Sequence, residues 1–300
     1  EEGKGAWRYA RFILLFSLAV ETIGALLLMP AFCSRFGARG LWYAFFHSVS
    51  AYCNAGFDLM GAETGQFSSL TSFVGSPLVN FTICGLILSG GLGFSVWGDI
   101  GRNKFRLKKY SVQSKAVLLF GALLVFIPSL YFYFAEFSSA AWKAELSGGE
   151  RALASFFQTV TPRTAGFNTV DYSKMSEASL LVTIALMLIG GASGSTAGGM
   201  KITTMAVLFC AAIAAVRKRR EVRCFGRRIS SDTVKDAATI AFLYVTLFFA
   251  GSVAISSIEK LPVVDCMFET ASAIATVGLS TGITAGLSAA SHIILIALMY

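Results

Sequence analysis

Charged residues are scarce in this 300-residue chain, at 14%, whereas 55% of its residues are hydrophobic. Soluble domains carry about 25% charged and about 45–50% apolar residues. The mean hydropathy is +0.67, and several apolar runs approach or exceed the roughly 20 residues that span a bilayer. This shortage of charge excludes a string of soluble domains and indicates an integral membrane protein.

Cysteine and histidine are too few and too scattered for a disulfide framework or a zinc site. The six cysteines include no CxxC pair, and neither His47 nor His292 has a nucleophile near it in the sequence. No GxSxG pattern and no GxxxxGK[ST] phosphate loop is present. We therefore expect the chain to be no enzyme and to hold no cofactor.

The positive charges are confined to two connecting segments. The formal net charge is +8, and Lys and Arg concentrate in residues 101–115 and 216–235, each flanked by apolar runs. Short basic loops between apolar runs are typical of the cytosolic side of a membrane protein. This distribution favours membrane topology over nucleic-acid binding, and it leaves contact with anionic lipid or an acidic cytosolic partner open.

Long and short apolar runs alternate along the chain. The candidate spanning runs are 11–32, 74–97, 115–135, 178–212, 236–258 and a run from 289 that stops at Tyr300. The shorter runs are 41–53, 151–162 and 262–275, a length that suits re-entrant segments. We expect a multi-pass protein of the cell membrane, and a fragment whose last helix is truncated.

A repeat is the strongest signal in the sequence. It reads FHSVSAYCNAGFD at 46–58, FQTVTPRTAGFNT at 157–169 and FETASAIATVGLS at 268–280. Phe46, Phe157 and Phe268 are separated by 111 residues each time. A second echo, LILSGG at 86–91 and LMLIGG at 186–191, follows the first two copies. Each unit therefore reads as a spanning helix, a short re-entrant helix, a glycine-centred loop and a spanning helix.

Glycine-centred loops at membrane depth suit a cation pathway. Irregular backbone is tolerated there where it is buried in protein or lines a water-filled cavity, and glycine permits a positive φ. Rings of backbone carbonyls replace the hydration shell of a cation, and the carboxyl end of a short helix favours positive charge. The alternative is that these glycines serve close helix packing alone.

The repeated residues resemble the membrane subunit of the Ktr/Trk/HKT superfamily of potassium transporters, most of all its KtrB branch. The resemblance implies an all-α integral membrane fold of helix–pore loop–helix units in a pseudo-four-fold arrangement around a central pore. Residues 1–110, 111–230 and 231–300 are similar to the second, third and fourth units, and the first is absent. The implied potassium-binding filter residues are Asn54, Ala55, Gly56, Phe57, Thr164, Ala165, Gly166, Phe167, Thr276, Val277, Gly278 and Leu279.

The resemblance also implies a function and partners. It predicts potassium uptake driven by the membrane potential, with sodium as a further transported or coupled ion. The expected assembly is a homodimer in the bilayer on a cytosolic ring of nucleotide-binding regulator subunits, with no nucleic acid. A secondary transporter with a midplane site and a non-transporting scaffold or receptor are the alternative classes.

The segment GGASGSTAGGMKITT at 190–204 interrupts a run far longer than one crossing. So many Gly and Ser residues should break the helix, and a broken segment below a filter can block an ion path or move aside. It is similar to the family's intramembrane gating loop. The implied gate residues are Gly190, Gly191, Ala192, Ser193, Gly194, Ser195, Thr196, Ala197, Gly198, Gly199 and Lys201.

Three charged residues lie within or beside apolar runs, and for each of them the sequence leaves more than one role open. Lys201 would place a positive charge beneath the pore, or would snorkel or pair with a carboxylate. Glu21 favours a structural hydrogen bond to a pore-loop segment over a direct functional role. Arg163 is expected to brace its loop from the outer side, with repulsion of ions at the mouth as the alternative.

Overall fold

The fold is almost entirely helical. A computed structural model describes residues 2–104, 106–219 and 221–300; Glu1, and Phe105 and Arg220 of the two basic segments, lie outside the described residues. The three longest helices are α1 (Glu2–Phe36), α6 (Val112–Tyr131) and α11 (Ser231–Glu259). The other helices are α2 (Arg39–Tyr52), α3 (Gly61–Thr64), α4 (Pro77–Gly91), α5 (Phe94–Asn103), α7 (Ala140–Glu145), α8 (Gly148–Val160), α9 (Glu177–Leu188), α10 (Ile202–Val216), α12 (Val263–Ile274) and α13 (Ala289–Met299).

Three helices are long and apolar enough to cross a membrane by themselves. They cover Trp7–Phe36, Val112–Glu136 and Ser231–Glu259, and the last turn of the second is a π-helix, Phe132–Glu136. The bent pair α4–α5 is a fourth candidate, and α9, α10 and α13 are shorter apolar helices. The chain is a multi-pass membrane protein, as predicted.

The predicted spanning run 74–97 is broken within its length and does not form one straight helix. Helices α4 and α5 meet at an angle of 94°. Gly93 between them has a φ of +82°, which glycine adopts without steric cost. The Phe94 N–H then donates to the carbonyl of Gly194 at 3.1 Å instead of continuing the helix. A contact across a hundred residues therefore sets the bend.

The predicted break inside 178–212 is confirmed. Helix α9 ends at Leu188 and α10 begins at Ile202. The ends of the intervening stretch, residues 189–201, lie side by side: Ile189 and Met200 form a parallel bridge, and the Gly190 N–H donates to the Met200 carbonyl at 2.9 Å. We call residues 189–201 the interrupting segment.

The three short apolar runs are short helices, as predicted. Each copy of the repeat begins inside one of them: Phe46 in α2, Phe157 in α8 and Phe268 in α12. Ser147 and Glu150 form a capping box that fixes where α8 begins. Phe157 and Phe268 are fully buried, so they anchor α8 and α12 in the protein core.

Two carboxylates, the buried Glu136 and the partly exposed Glu259, fasten the ends of two spanning helices to the helices that follow. Glu136, 4% exposed at the end of the π-helical turn, accepts from Trp142 Nε1 at 2.8 Å and from the N–H of Ser176 at 3.2 Å. Glu259 at the end of α11 accepts from the N–H of Ser288 at 2.9 Å. Ser176 and Ser288 are the N-cap residues of α9 and α13, so these carboxylates position the second helix of their units.

Replacing Glu136 with alanine is expected to destabilise the protein by about 1–3 kcal/mol, because buried donors lose their acceptor. The shift should appear in thermal unfolding in detergent, followed by tryptophan fluorescence. Glu145→Ala is the control, since Glu145 pairs with Lys174 at the surface, where both side chains are about half exposed, and such pairs contribute about 0–1 kcal/mol. Equal shifts for the two variants would contradict this account of Glu136.

The second basic segment folds into a small hairpin at the end of α10. Strands β1 (Arg223–Cys224) and β2 (Arg227–Arg228) pair antiparallel. Arg223 and Arg228 both form ion pairs with Glu221, at 3.1 and 3.2 Å. The hairpin therefore gives the predicted cytosolic face a compact basic projection.

Candidate functional site

The three glycine-centred loops converge on one another. We name them L1 (54–57), L2 (164–167) and L3 (276–279). A Cβ added to Gly56 of L1 would lie 2.0 Å from the carbonyl oxygen of Ala165, and one on Gly166 would lie 2.3 Å from the carbonyl oxygen of Val277. L2 therefore lies between L1 and L3, with backbone against backbone, and such close approach requires glycine at these positions.

All three loops share one backbone conformation. Their third residues, Gly56, Gly166 and Gly278, have φ values of +70°, +89° and +90°. Their first residues, Asn54, Thr164 and Thr276, are also left-handed, at +51°, +64° and +54°, whereas the second and fourth residues are not. When left-handed and other residues alternate in this way, successive backbone groups of the same type, N–H with N–H and carbonyl with carbonyl, point to the same side of the chain.

Left-handed threonine is a marked outlier, because a β-branched side chain crowds the backbone there. Each such residue costs on the order of 1–3 kcal/mol and persists where its surroundings impose it, typically at ligand-binding sites. Thr164 and Thr276 both carry this strain at the same position of the repeat. The strain therefore marks L2 and L3 as candidates for function as well as packing.

The hydroxyl residues of the repeat fix the loops to their short helices. Ser50 Oγ donates to the Phe57 carbonyl at 2.7 Å, and Thr161 Oγ1 donates to the Phe167 carbonyl at 2.5 Å. In the third copy Ser272 Oγ accepts instead, from the Gly278 N–H at 3.1 Å. The Ser or Thr at this position of the repeat thus holds the last residue of L1 and of L2, and the glycine of L3.

The polar residue after each repeat phenylalanine supports the chain on the far side of the loop. His47 Nε2 accepts from the Leu59 N–H at 3.4 Å, and Glu269 accepts from the Thr281 N–H at 2.9 Å. One orientation of the Gln158 amide gives hydrogen-bond partners to both its nitrogen and its oxygen. In that orientation the side-chain oxygen accepts from the Thr169 N–H at 3.1 Å. The sequence shows these residues as the shared polar position of the repeat, but only the fold reveals what they hold.

L1 and L2 are further tied to each other. Asn54 Nδ2 donates to the Arg163 carbonyl at 3.2 Å, and the Leu70 N–H donates to the Asn168 carbonyl at 3.0 Å. The N–H of Asn168 returns a bond to Ser69 Oγ at 3.2 Å. In the described part of the chain, the hydrogen bonds of 275–288 come from residues of 231–300. L3 is therefore held from within its own unit.

A cavity of about 850 Å³ opens on the side of the loops away from the interrupting segment. The glycines of the three loops line it, together with the charged side chains of Asp58, Glu145, Asp171 and Lys174. Lys174 donates to Glu145 at 2.9 Å, which leaves an excess of carboxylates. Such a concave, negatively charged surface raises the local concentration of cations.

The interrupting segment contacts all three loops from the opposite side. Thr196 Oγ1 donates to the Tyr52 carbonyl at 3.0 Å, next to L1, and the Gly198 N–H donates to Thr164 Oγ1 of L2 at 3.2 Å. A Cβ on Gly198 would lie 2.0 Å from Thr276 Oγ1 of L3. The segment therefore lies across the inner ends of L1, L2 and L3.

The two Gly-Gly echoes of the repeat meet at this segment. The Ala192 N–H donates to the Gly91 carbonyl at 2.9 Å, and a Cβ on Gly191 would lie 2.8 Å from that same oxygen. A Cβ on Gly190 would lie 2.0 Å from the Gly198 carbonyl. These glycines let the interrupting segment fold back on itself against the end of α4.

The side chain of Lys201 turns back onto the interrupting segment. Its ammonium group donates to the Ala197 carbonyl of the interrupting segment at 2.5 Å. Among the described residues it makes no ion pair with a carboxylate. Its positive charge is therefore retained within the segment that lies beneath the loops.

Arg163 does not brace L2 from the outer side, so this prediction was wrong. Its guanidinium nitrogens lie 3.8 and 3.9 Å from the Cβ position of Gly121, in the inner half of α6 and near Ile202 at the start of α10. Its side chain is buried, and its Nε has no hydrogen-bond partner among the described residues. Arg163 lies in the turn between the end of α8 and L2. The chain reverses toward the outer face only after this turn, so Arg163 lies below L2.

Glu21 contacts the pore-loop region of its unit, in line with the structural expectation. Cys53 Sγ donates to the Glu21 carboxylate at 3.8 Å, directly before L1. Ser48 of the repeat donates to the Glu21 backbone carbonyl at 2.6 Å. Glu21 thus links α1 to the carboxyl end of α2.

The geometry describes a membrane protein with three like loops facing one another, and sequence comparison identifies its class. The TrkH family, described as a cation transport protein, matches residues 8–300. This chain belongs to that family. The resemblance drawn from the repeat is therefore confirmed, and the class is one of transport proteins and not of enzymes.

Individual relatives cover the whole of this chain. The potassium/sodium uptake protein NtpJ of Enterococcus hirae is 37% identical over 305 residues, which are 100% of this chain and 66% of that protein. The Ktr system potassium uptake protein B of Bacillus subtilis is 36% identical over 291 residues, 97% of this chain and 64% of that protein. The protein of the same name from Vibrio alginolyticus is 37% identical over 294 residues, with 97% and 63% covered.

These coverages mean that the chain spans just under two thirds of the length of these relatives. Among solved structures, the potassium transporter TrkH from Vibrio parahaemolyticus matches with a TM-score of 0.74 and 20% identity, over 97% of this chain and 60% of that chain. The likeness supports the predicted all-α membrane fold.

Proposed function

We propose that this chain forms part of a pore that takes up potassium across the cytoplasmic membrane. The observation that carries the proposal is the convergence of three loops with the same alternating backbone, each at the carboxyl end of a short helix. Carbonyl rings replace the hydration shell of a cation, and helix carboxyl ends favour positive charge. The printed names of the relatives, potassium uptake and potassium/sodium uptake, agree with this chemistry.

In this proposal the carbonyls of L1, L2 and L3 line a selectivity filter. All twelve predicted residues belong to these loops, and the left-handed residues at the first and third positions turn the backbone toward the common axis. The membrane potential supplies the driving force, about 2.3 kcal/mol per charge per 100 mV. Sodium is a second transported or coupled ion, a role that the printed name of NtpJ also suggests.

The interrupting segment is the proposed gate. It lies across the inner ends of the loops, and glycines and small hydroxyl residues make up most of it. Hydrogen bonds from Thr196 and Gly198 hold it there, and each contributes only about 1 kcal/mol net. Further backbone hydrogen bonds join the segment to α4 and α5, so in this proposal the part that contacts the loops moves aside while the helices on either side stay folded.

The units 1–110, 111–230 and 231–300 are inferred to occupy three quarters of a pseudo-four-fold pore. Helices α1, α2 and α4 of the first, α6, α8 and α9–α10 of the second, and α11, α12 and α13 of the third share one order. A further unit of the complete protein would supply the fourth quarter. A homodimer on a cytosolic ring of nucleotide-binding subunits is the proposed assembly, with the two basic segments facing that ring.

Uptake of rubidium-86 by the complete transporter in liposomes tests this function. We expect uptake that potassium inhibits strongly and sodium weakly. Equal inhibition by the two ions would indicate an unselective pore. Uptake that requires a coupled ion gradient would favour a secondary transporter, and no uptake at all would overturn the proposal.

A further inference from the structure

Glu269 is a buried carboxylate that lies behind L3. It lies in α12, is 4% exposed, and faces the chain just beyond L3. It accepts from Ser280 Oγ at 2.7 Å, from the Thr281 N–H at 2.9 Å and from Thr284 Oγ1 at 2.5 Å. The carboxylate therefore holds three residues of the irregular segment 280–284 onto one side chain.

These contacts are all donors, and none of them is a cation. An ionised carboxylate is an acceptor only, and hydrogen bonds to it are worth about 1.5–3 kcal/mol each. Among the described residues Glu269 has no salt-bridge partner. The side chain therefore restrains the loop and leaves its negative charge close behind L3.

The equivalent positions of the other two copies are neutral. His47 donates from Nδ1 to the Tyr43 carbonyl at 2.7 Å and accepts from the Leu59 N–H on Nε2, which is the pattern of a neutral imidazole. Gln158 is an uncharged amide. The three loops thus share a backbone but differ at this repeat position, where L3 has a carboxylate and L1 and L2 have a neutral side chain.

The hydrogen bonds that support L3 come from its own unit. L1 and L2 exchange hydrogen bonds with each other, whereas the hydrogen bonds of residues 275–288 come from residues 231–300 in the described part of the chain. Glu269 supplies several of these bonds behind the loop, so it is a main restraint on residues 280–284.

We propose that Glu269 is a positioning residue that sets the cation preference of L3, by holding residues 280–284 behind the loop and by placing a negative charge there. The proposal rests on the function proposed above. Because a filter discriminates ions through the placement and field of its carbonyls, weakening this restraint lowers both the affinity for potassium and the preference over sodium.

Glu269→Gln tests the proposal in the complete transporter, since glutamine keeps the size and one acceptor oxygen but removes the charge. We expect the KM for rubidium-86 to rise about tenfold with the maximal rate little changed, and the ratio of half-inhibitory sodium to potassium to fall by at least about fivefold. Thr284→Val removes one donor and keeps the charge, so it should shift the ratio in the same direction by less.

Glu136→Gln is the matched control. Glu136 is equally buried, at 4% exposure, and also gathers hydroxyl, amide and indole donors, but it caps α9 and does not contact a loop. We expect a lower thermal midpoint and an unchanged inhibition ratio for this variant. A shift of the ratio as large as that of Glu269→Gln would overturn the assignment to L3.

The outcomes separate the two proposals. Wild-type ratios in well-folded Glu269→Gln and Thr284→Val proteins would overturn the role of Glu269, while potassium-sensitive uptake by the wild type would still support the pore. An inactive wild type would overturn the proposed function and this inference with it. If Glu269→Gln fails to fold, Thr284→Val alone decides, because it leaves the buried carboxylate in place.

Discussion

Replacing Gly278 with serine lowers the preference for potassium over sodium by about tenfold. Gly278 has a φ of +90°, a backbone conformation that side chains other than hydrogen rarely adopt. The substitution therefore strains the backbone by roughly 1–2 kcal/mol. Relaxation of that strain would rotate the carbonyls of L3, and about 1.4 kcal/mol corresponds to a tenfold change.

The measurement is the ratio of sodium to potassium concentrations that half-inhibit rubidium-86 uptake. Gly65→Ser is the matched control, because Gly65 has a φ of +117° and open space around it but lies in the outer connection before α4. It carries the same kind of backbone strain outside the loops and should retain the wild-type ratio. Unchanged selectivity in folded Gly278→Ser would remove L3 from the filter.

Serine at Gly56 or Gly166 is expected to push neighbouring loops apart. The added Cβ atoms would lie 2.0 and 2.3 Å from carbonyl oxygens of the neighbouring loop. Backbone at that distance must shift, so we expect loss of uptake with a lower thermal midpoint for both variants.

Deleting residues 193–197 raises the flux of potassium by about tenfold or more. The deletion removes Thr196, which bonds to the Tyr52 carbonyl and lies 3.3 Å from Asn54 Oδ1, and shortens the segment below the loops. It also removes Gly194, whose carbonyl accepts from the Phe94 N–H at the bend between α4 and α5, so this end of α4 is released as well. The paired ends at Gly190 and Met200 stay in place to join α9 to α10. Several bonds of about 1 kcal/mol each hold the segment closed, so their loss favours the open path.

Initial rates of rubidium-86 uptake at fixed potential provide the measurement. Thr196→Val keeps the segment at full length and should raise the flux by a smaller factor. Thr239→Val is the control, since the Thr239 hydroxyl donates to the Lys235 carbonyl on an exposed part of α11. An unchanged rate in the deletion variant would remove the gate assignment, and the interrupting segment would then be a packing element.

Local features of the sequence predicted the elements well. Run lengths separated the long helices from the short helices α2, α8 and α12, because the bilayer fixes how many apolar residues a crossing needs. The density of Gly and Ser in 190–199 predicted the break between α9 and α10, since helix propensity is a property of neighbouring residues. The repeat identified the glycine of each loop.

Contacts between distant residues could not be predicted in this way. The bend after Gly91 depends on hydrogen bonds to residues 192–196. The position of Arg163 below L2 depends on where α8 ends relative to α6. Thr164 and Thr276 adopt a left-handed conformation that a β-branched side chain disfavours. The conformational preference of threonine therefore predicts the wrong backbone at these two positions. Tertiary packing imposes that conformation.

The sequence by itself determined the membrane class, the order of helices, the three loops and the family, because each of these is recorded in composition, run length or a repeat at one spacing. The tertiary structure alone decided that L2 lies between L1 and L3, that the interrupting segment crosses beneath all three, and that Glu269 stands behind L3. These facts rest on hydrogen bonds and backbone approaches between residues far apart in the chain, which only the packing of the helices brings together.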